Sequence, residues 1–220
     1  MISPLASTPL FHIGGVGIAE SVVATWGIMV ALGLGAIVVN RTLSLSPSSV
    51  QAVMEMLVDT VDSQIRDTMA VAPAPYRAFI GPLFVYVFTA NWCTLVPGVE
   101  PPTAHIETDA ALALLVFLAV IWFGIRAAGL RGYFASFATP SPLMIPINIV
   151  ESISRIFSMM VRLFGNVMAG VFMVSIVLSL AGLFVPLPLM ALDLLTGAIQ
   201  AYIFAILAAV FIASVVNGEK

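Results

Sequence analysis

Of 220 residues, 61% are hydrophobic and 9% charged, and the formal net charge is −3. Soluble domains run at roughly 45–50% apolar and about 25% charged, so too few polar residues remain here to clothe a water-facing surface, and the chain reads as an integral membrane protein. The acidic balance without a basic patch argues against nucleic acid as a partner. A single Cys93 excludes an internal disulfide and, with no His or Cys beside it, a zinc cluster; it reads as a small packing residue.

Crossing about 30 Å of hydrocarbon takes roughly 20 apolar residues in a helix. In chain order, residues 1–17 make an outer N-terminal segment with no positive start of a signal peptide. The apolar run Ile18 to Val39 is too long for such a peptide, so 18–39 is expected to be a retained first span. The stretch "SPSSVQAVMEMLVDTVDSQIRDTM", Ser46 to Met69, carries the next element, expected over 47–70, with a cap-like Ser46 and Pro47 and apolar Val50, Val53, Leu57, Val61 and Ile65 at helical spacing. Opposite them stand Glu55, Asp59, Asp62 and Arg66. This predicts an amphipathic cytoplasmic helix, acidic rather than basic and so ill suited to anionic lipid: it is a solvated link between spans or a docking helix for another subunit.

Spans are expected at 79–96 and 110–128. The Pro97 to Asp109 connection holds no Lys or Arg, whereas Arg41, Arg66, Arg77, Arg126, Arg131 and Lys220 all fall on the other side of the membrane. The positive-inside tendency then puts the N-terminus outside and the C-terminus in the cytoplasm. Next comes Leu143 to Leu183, about 41 residues and roughly 60 Å as one helix, twice what crossing needs; it has to tilt, lie partly in the plane, or break. Residues 187–216 are also overlong, and "VPLPL" between the two runs makes a helical hairpin. The predicted fold class is all-α: about five membrane segments, one amphipathic helix, and a final tilted hairpin presenting a broad flank to a neighbour.

Both hairpin helices carry a polar stripe. Glu151, Arg155, Ser158, Arg162 and Asn166 succeed one another at four, three, four and four residues, within an arc of about 80° at 100° per residue. Asp193, Thr196, Gly197 and Gln200 share one face of the second helix. Insertion scales charge roughly 2.5–3.5 kcal/mol for a mid-helix Arg or Asp, so each needs water, a partner or a task. Arg155 has a structural option, pairing with Glu151 one turn away or snorkelling. Gln200 and Asn166 alone would also serve as helix–helix glue, and Asp193 would also suit a helix start near the outer interface.

Arg162 has no acid three or four residues away in either direction. Its guanidinium keeps its proton under physiological conditions, so it makes no link in a proton wire. It fits a fixed positive barrier that forces an approaching carboxylate to ionise. No unmatched acid of this chain is an obvious mate, which points to a carboxylate on another polypeptide.

These residues carry a resemblance. "VRLFGNVMAG" at Val161 to Gly170 resembles the signature helix of subunit a of the F-type ATP synthase membrane (FO) sector, and "IQAYIFAILAAVFI" at Ile199 to Ile212 is similar to that family's last helix. "IPINIVESISR" (Ile145 to Arg155), "ANWCTLVPG" (Ala90 to Gly98) and "PTAHIETDAALAL" (Pro102 to Leu114) match in order. The resemblance implies a non-catalytic stator beside a rotating ring of c subunits, with subunit b of the peripheral stalk and the rest of the ATP synthase as further partners, in a bacterial plasma membrane. It also implies two offset aqueous half-channels for protons or sodium, kept apart by Arg162. Gln200 would assist from the facing helix, Asn166 would line the adjoining polar face together with Ser158 and Arg155, and Glu151 would belong to the cytoplasmic exit. No cofactor or metal is implied.

Some positions depart from that pattern. Many members carry an acid or histidine eight or nine residues after the arginine, where this chain has Gly170 and Val171; Asp193 stands where relatives often place His or Glu, and is assigned to the outer half-channel. His105 replaces a frequent Asp and Glu107 a frequent Asn; with Asp109 they are expected to form an outer channel mouth, or to be solvated loop residues. Ile156 stands where a proline is frequent. The short length and these swaps resemble the family's divergent, sodium-associated branch.

Two other classes compete. A small ion-coupled secondary transporter would use Arg162, Asp193 and Glu151 for an anionic substrate and its coupling ion, but such folds carry internal repeats and none is visible. An intramembrane enzyme lacks support: there is no H-E-x-x-H, "GGVG" at Gly14 to Gly17 lacks the Lys-Ser/Thr of a phosphate loop, and Ser158, His12 and His105 make no dyad.

Overall fold

The computed structural model describes residues 9–13, 16–41, 49–95, 101–136, 143–182 and 184–217; Gly14, Ser46, Pro47, Val96 to Gly98, Leu183 and Lys220 lie outside them. Six helices carry the architecture: α1 Glu20–Arg41, α2 Ser49–Met69, α3 Ala74–Trp92, α4 Ile106–Ser136, α5 Met144–Ala181 and α6 Leu187–Val216. All but α2 are long and apolar enough to cross a membrane. The all-α reading of the membrane part therefore holds. One addition precedes it, an antiparallel hairpin of β1 (Pro9–Ile13) and β2 (Val16–Ala19), pairing Phe11 with Ile18 and Ile13 with Val16.

Of the three options open to the overlong fifth helix, α5 takes an unbroken course of 38 residues, roughly 57 Å at 1.5 Å per residue. Such a helix has to lean in a bilayer about 30 Å thick. The helical run of α4 is interrupted at Gly129, where φ is 73°, a backbone conformation that glycine adopts without a Cβ clash.

Lipid tails are as apolar as leucine, so helices associate in a membrane through close packing and internal hydrogen bonds. α6 is built for that: Gly197, Ala201, Ala205, Ala208, Ala209 and Ala213 are all buried, and small side chains let neighbouring backbones approach. A β-carbon on Gly197 would lie 3.1 Å from the Cβ of Asn91, so α3 and α6 cross closely there. One apolar cluster joins α3, α4, α5 and α6 through Leu83, Val87, Leu112, Val116, Met159, Leu163 and Phe204. A second joins α2, α3 and α6 through Ile65, Met69, Ile80 and Ile212.

α2 is tied to α6 at the middle of that helix and at its end. The Tyr202 hydroxyl donates to Gln64 Oε1 (2.7 Å) and the Asn217 amide to the Met69 carbonyl (2.8 Å), while Arg77 at the start of α3 pairs with Asp62 at 2.9 Å. Among the described side chains of its apolar face Ile65 and Met69 are fully covered, while Val53, Met54 and Met56 stay exposed. α1 leans on α3, where Tyr86 donates to Thr25 (3.2 Å), and exposes Trp26, Met29, Val30, Leu34, Ile37 and Val38.

Candidate functional site

Arg162 sits at the midpoint of α5, 18 residues past Met144 and 19 before Ala181. It projects on an exposed flank with Ser158 and Gly165, while Met159, Leu163 and Val167 turn into the bundle. Helical spacing alone produces this division, since positions three and four apart share a face. Among the described residues, no side chain makes an ion pair or hydrogen bond with Arg162.

The rest of the α5 stripe splits by depth along the helix. Toward its start, Arg155 pairs with Glu151, donates to Ser214 Oγ on α6 (3.2 Å) and stacks its guanidinium 5.2 Å from the Phe211 ring centroid. Three partners hold it in place, including the cation–π contact, which sets it apart from Arg162. The structural option for Arg155 is thus the one whose contacts are made. Asn166, one turn beyond Arg162, is half-buried, and its amide nitrogen has no hydrogen-bond partner.

On α6, Gln200 is buried near mid-helix, and its amide nitrogen is likewise unpartnered. Asp193 lies at the other end of that stripe and reaches across to α5. Its carboxylate occupies the space where a β-carbon of residue 170 would stand, so Gly170 is required for this approach. The two departures read separately in the sequence, a missing side chain at 170 and an acid at 193, are one packing arrangement.

The outer-mouth trio is not brought together as a surface cluster. Glu107 is exposed, His105 is half-buried, and Asp109 is fully buried at 0% exposure with neither carboxylate oxygen hydrogen-bonded. Beside it runs a polar thread that the sequence reading missed. Thr103, fully buried in the 3-10 turn Pro102–Ala104, donates to Asn91 Oδ1 (2.8 Å), and Asn91 Nδ2 donates to the Gly197 carbonyl (2.9 Å), one turn from Gln200. Trp92 adds a bond to the Leu194 carbonyl at 3.1 Å. Both Asn91 and Thr103 stand inside motifs quoted above, "ANWCTLVPG" and "PTAHIETDAALAL", which was the available signal. Among the described residues no group of three His, Cys, Asp or Glu is placed to hold a metal ion.

Five apolar helices, a mid-helix arginine on an open flank, and buried amides on two facing helices define a multi-pass helical membrane protein with a polar interior seam. The family model described as ATP synthase A chain matches residues 22–213, and the chain belongs to that family, subunit a of the membrane sector of ATP synthase. It is 52% identical to "ATP synthase subunit a 2" of Bradyrhizobium sp. (strain BTAi1 / ATCC BAA-1182), over 98% of this chain and 96% of that one. It is 45% identical to "ATP synthase subunit a" of Albidiferax ferrireducens (91% and 87% covered) and 43% identical to "ATP synthase subunit a 1" of Chlorobaculum parvum (93% and 92%).

Proposed function

We propose that this chain is the ion-conducting stator of a rotary ATP synthase, without ATP chemistry of its own, and that Arg162 separates two offset half-channels that deliver ions to, and collect them from, carboxylates on a ring of c subunits. The observation that carries this reading is the placement of Arg162: an always-charged group at the middle of an apolar helix, on an exposed flank, with no counter-charge among the described residues of this chain. A guanidinium facing hydrocarbon is costly, so that flank calls for a partner that brings a carboxylate. Facing it, the guanidinium holds the carboxylate ionised and repels a cation crossing directly from one side to the other.

In this reading the outer half-channel follows Asp193, Asn91, Thr103 and Asp109 toward Gln200 and Asn166, whose unpartnered amide nitrogens suit a water-lined passage. The inner one runs by Glu151, Ser158 and Arg155. The N-terminus lies outside and the C-terminus in the cytoplasm of a bacterial cell, and α2 faces the cytoplasm near subunit b. Arg162→Ala in the assembled complex is the test. ATP-driven ion pumping in vesicles is expected to vanish while the subunits still co-purify; pumping at near-normal rate would falsify the barrier role.

A further inference from the structure

An apolar cleft of about 490 Å³ lies between α1, α3 and α4, walled by Met29, Leu32, Phe79, Leu83, Leu112 and Leu115 among others. A shallower hollow of about 450 Å³ shares Ala78, Phe79 and Leu115 with it and carries the groove on to Trp122. No residue of α5 or α6 lines either, so the groove is separate from the polar stripes of the hairpin.

Hydroxyls close one end of the cleft, those of Thr25, Tyr86 and Thr108, and the Tyr86 proton is already given to Thr25. The charges of the three helices are sorted about this end. Glu20 precedes Thr25 by five residues and Glu107 adjoins Thr108, whereas Arg41, Arg77 and Arg126 stand sixteen, nine and eighteen residues from the hydroxyl of their own helix. At 1.5 Å per residue those separations are about 14 to 27 Å. Because α3 runs antiparallel to α1 and α4, all three arginines lie toward the opposite end. Among the described residues, Arg77 pairs with Asp62, while Arg41 and Arg126 have no ion-pair partner. Arg126 is exposed one turn beyond Trp122, on the same face of α4.

Volume and charge together select an occupant. An apolar cavity of about 150 Å³ takes one six-carbon benzene ring, so a cleft of about 490 Å³ has room for roughly twenty carbons, one fatty acyl chain. A membrane helix about 10 Å across would need roughly 900 Å³ over the 12 Å or so from Ala78 to Tyr86, about twice what the cleft holds. Basic side chains between membrane helices bind anionic headgroups, and tryptophan settles at headgroup level. We infer that the groove holds one anionic phospholipid, an acyl chain in the cleft between α1, α3 and α4 and the phosphate at Arg126. Bulk lipid wets any apolar surface; this groove differs in being walled by three helices and in carrying its cations at one end. The inference goes beyond the ion-conducting reading and does not draw on it.

The test uses the assembled complex in phosphatidylcholine nanodiscs containing a small fraction of phosphatidylglycerol with a diazirine midway along one acyl chain. After illumination, peptide mass spectrometry is expected to find the label on the cleft walls, at Phe79, Leu83 or Leu115. The same chain on phosphatidylcholine should label these residues about fivefold less, and Arg126→Gln should lower phosphatidylglycerol labelling to that level, the contribution of one basic side chain near an anionic headgroup. Ala111→Phe fills the cleft from an exposed position and should remove this label for both lipids, while label on Leu34 and Ile37, on the open face of α1, stays. Equal labelling by the two lipids, or labelling indifferent to Arg126→Gln, overturns the anionic headgroup. Label that survives Ala111→Phe overturns the seat in the cleft. Label confined to the open face of α1 means that another chain covers the groove, and the site is then lost.

Discussion

A lysine in place of Arg162 keeps the formal charge and loses two properties. Its ammonium releases a proton when desolvated, and it has no planar fork to face a carboxylate with two parallel hydrogen bonds. Arg162→Lys is therefore expected to lose ATP-driven pumping as completely as Arg162→Ala, measured by fluorescence quenching in the same vesicles; retention by lysine would mean that charge alone suffices. Gly170 makes a different kind of demand. A β-carbon there meets the Asp193 carboxylate, the end of a side chain that has to turn away from α5 to make room. Gly170→Ala should lower the thermal midpoint of the detergent-solubilised complex, and adding Asp193→Ala should recover part of the loss, because contacting sites are not additive. Full additivity would mean that the two do not touch. Arg162 was legible in the sequence because an unpaired charge in an apolar run is expensive wherever the helix is packed. The inward turn of Asp109 was not, since an acid in the first turn of a helix reads the same whether it faces water or the bundle. Asn91 and Thr103 were hidden for a related reason: short polar residues at span ends are ordinary until a fold brings them together.

Among the elements, α6 depends most on residue size. Its buried face of glycine and alanines gives up side-chain volume for close backbone approach, and the Gly197 position, 3.1 Å from Asn91 Cβ when a β-carbon is added, is the tightest point against α3. Gly197→Val is expected to push the helices apart and break the Asn91 bond to the Gly197 carbonyl. Membrane hydrogen bonds contribute about 0.6 kcal/mol each, so most of the loss would come from packing. Lower yield of assembled complex is the readout, with Ala198→Val, at a half-buried neighbour, as a milder control; equal yields would deny the crossing its importance. The five helices long and apolar enough to cross a membrane followed from apolar runs alone. The continuation of α4 beyond Gly129 and the Pro9–Ala19 hairpin did not: the first needs a glycine conformation that sequence does not declare, and the second is too short for a two-residue alternation to stand out.

At the scale of the whole molecule, burial divides α5 lengthwise. Met159 and Leu163 pack it into the apolar cluster it shares with α4 and α6 and Val167 is buried beside them, while Ser158, Val161, Arg162, Gly165 and Ala169 form an open seam of mostly small residues about the helix midpoint. A seam of small residues lets a neighbouring helix come close, and the arginine within it requires that neighbour to carry negative charge. This geometry makes a directional prediction for the assembled enzyme. With Cys93 first replaced by serine, a cysteine at Ser158 should form an oxidative cross-link to a cysteine placed beside the carboxylate of a c-subunit helix, as the proposed arrangement of the two surfaces requires. A cysteine at Met159, next in sequence yet 2% exposed, should form none, because it points into this chain's own core. Cross-linking at both positions would mean that α5 rotates or unpacks in the complex. Cross-linking at neither would place the ring against another face, and Arg162 would then need a different counter-charge.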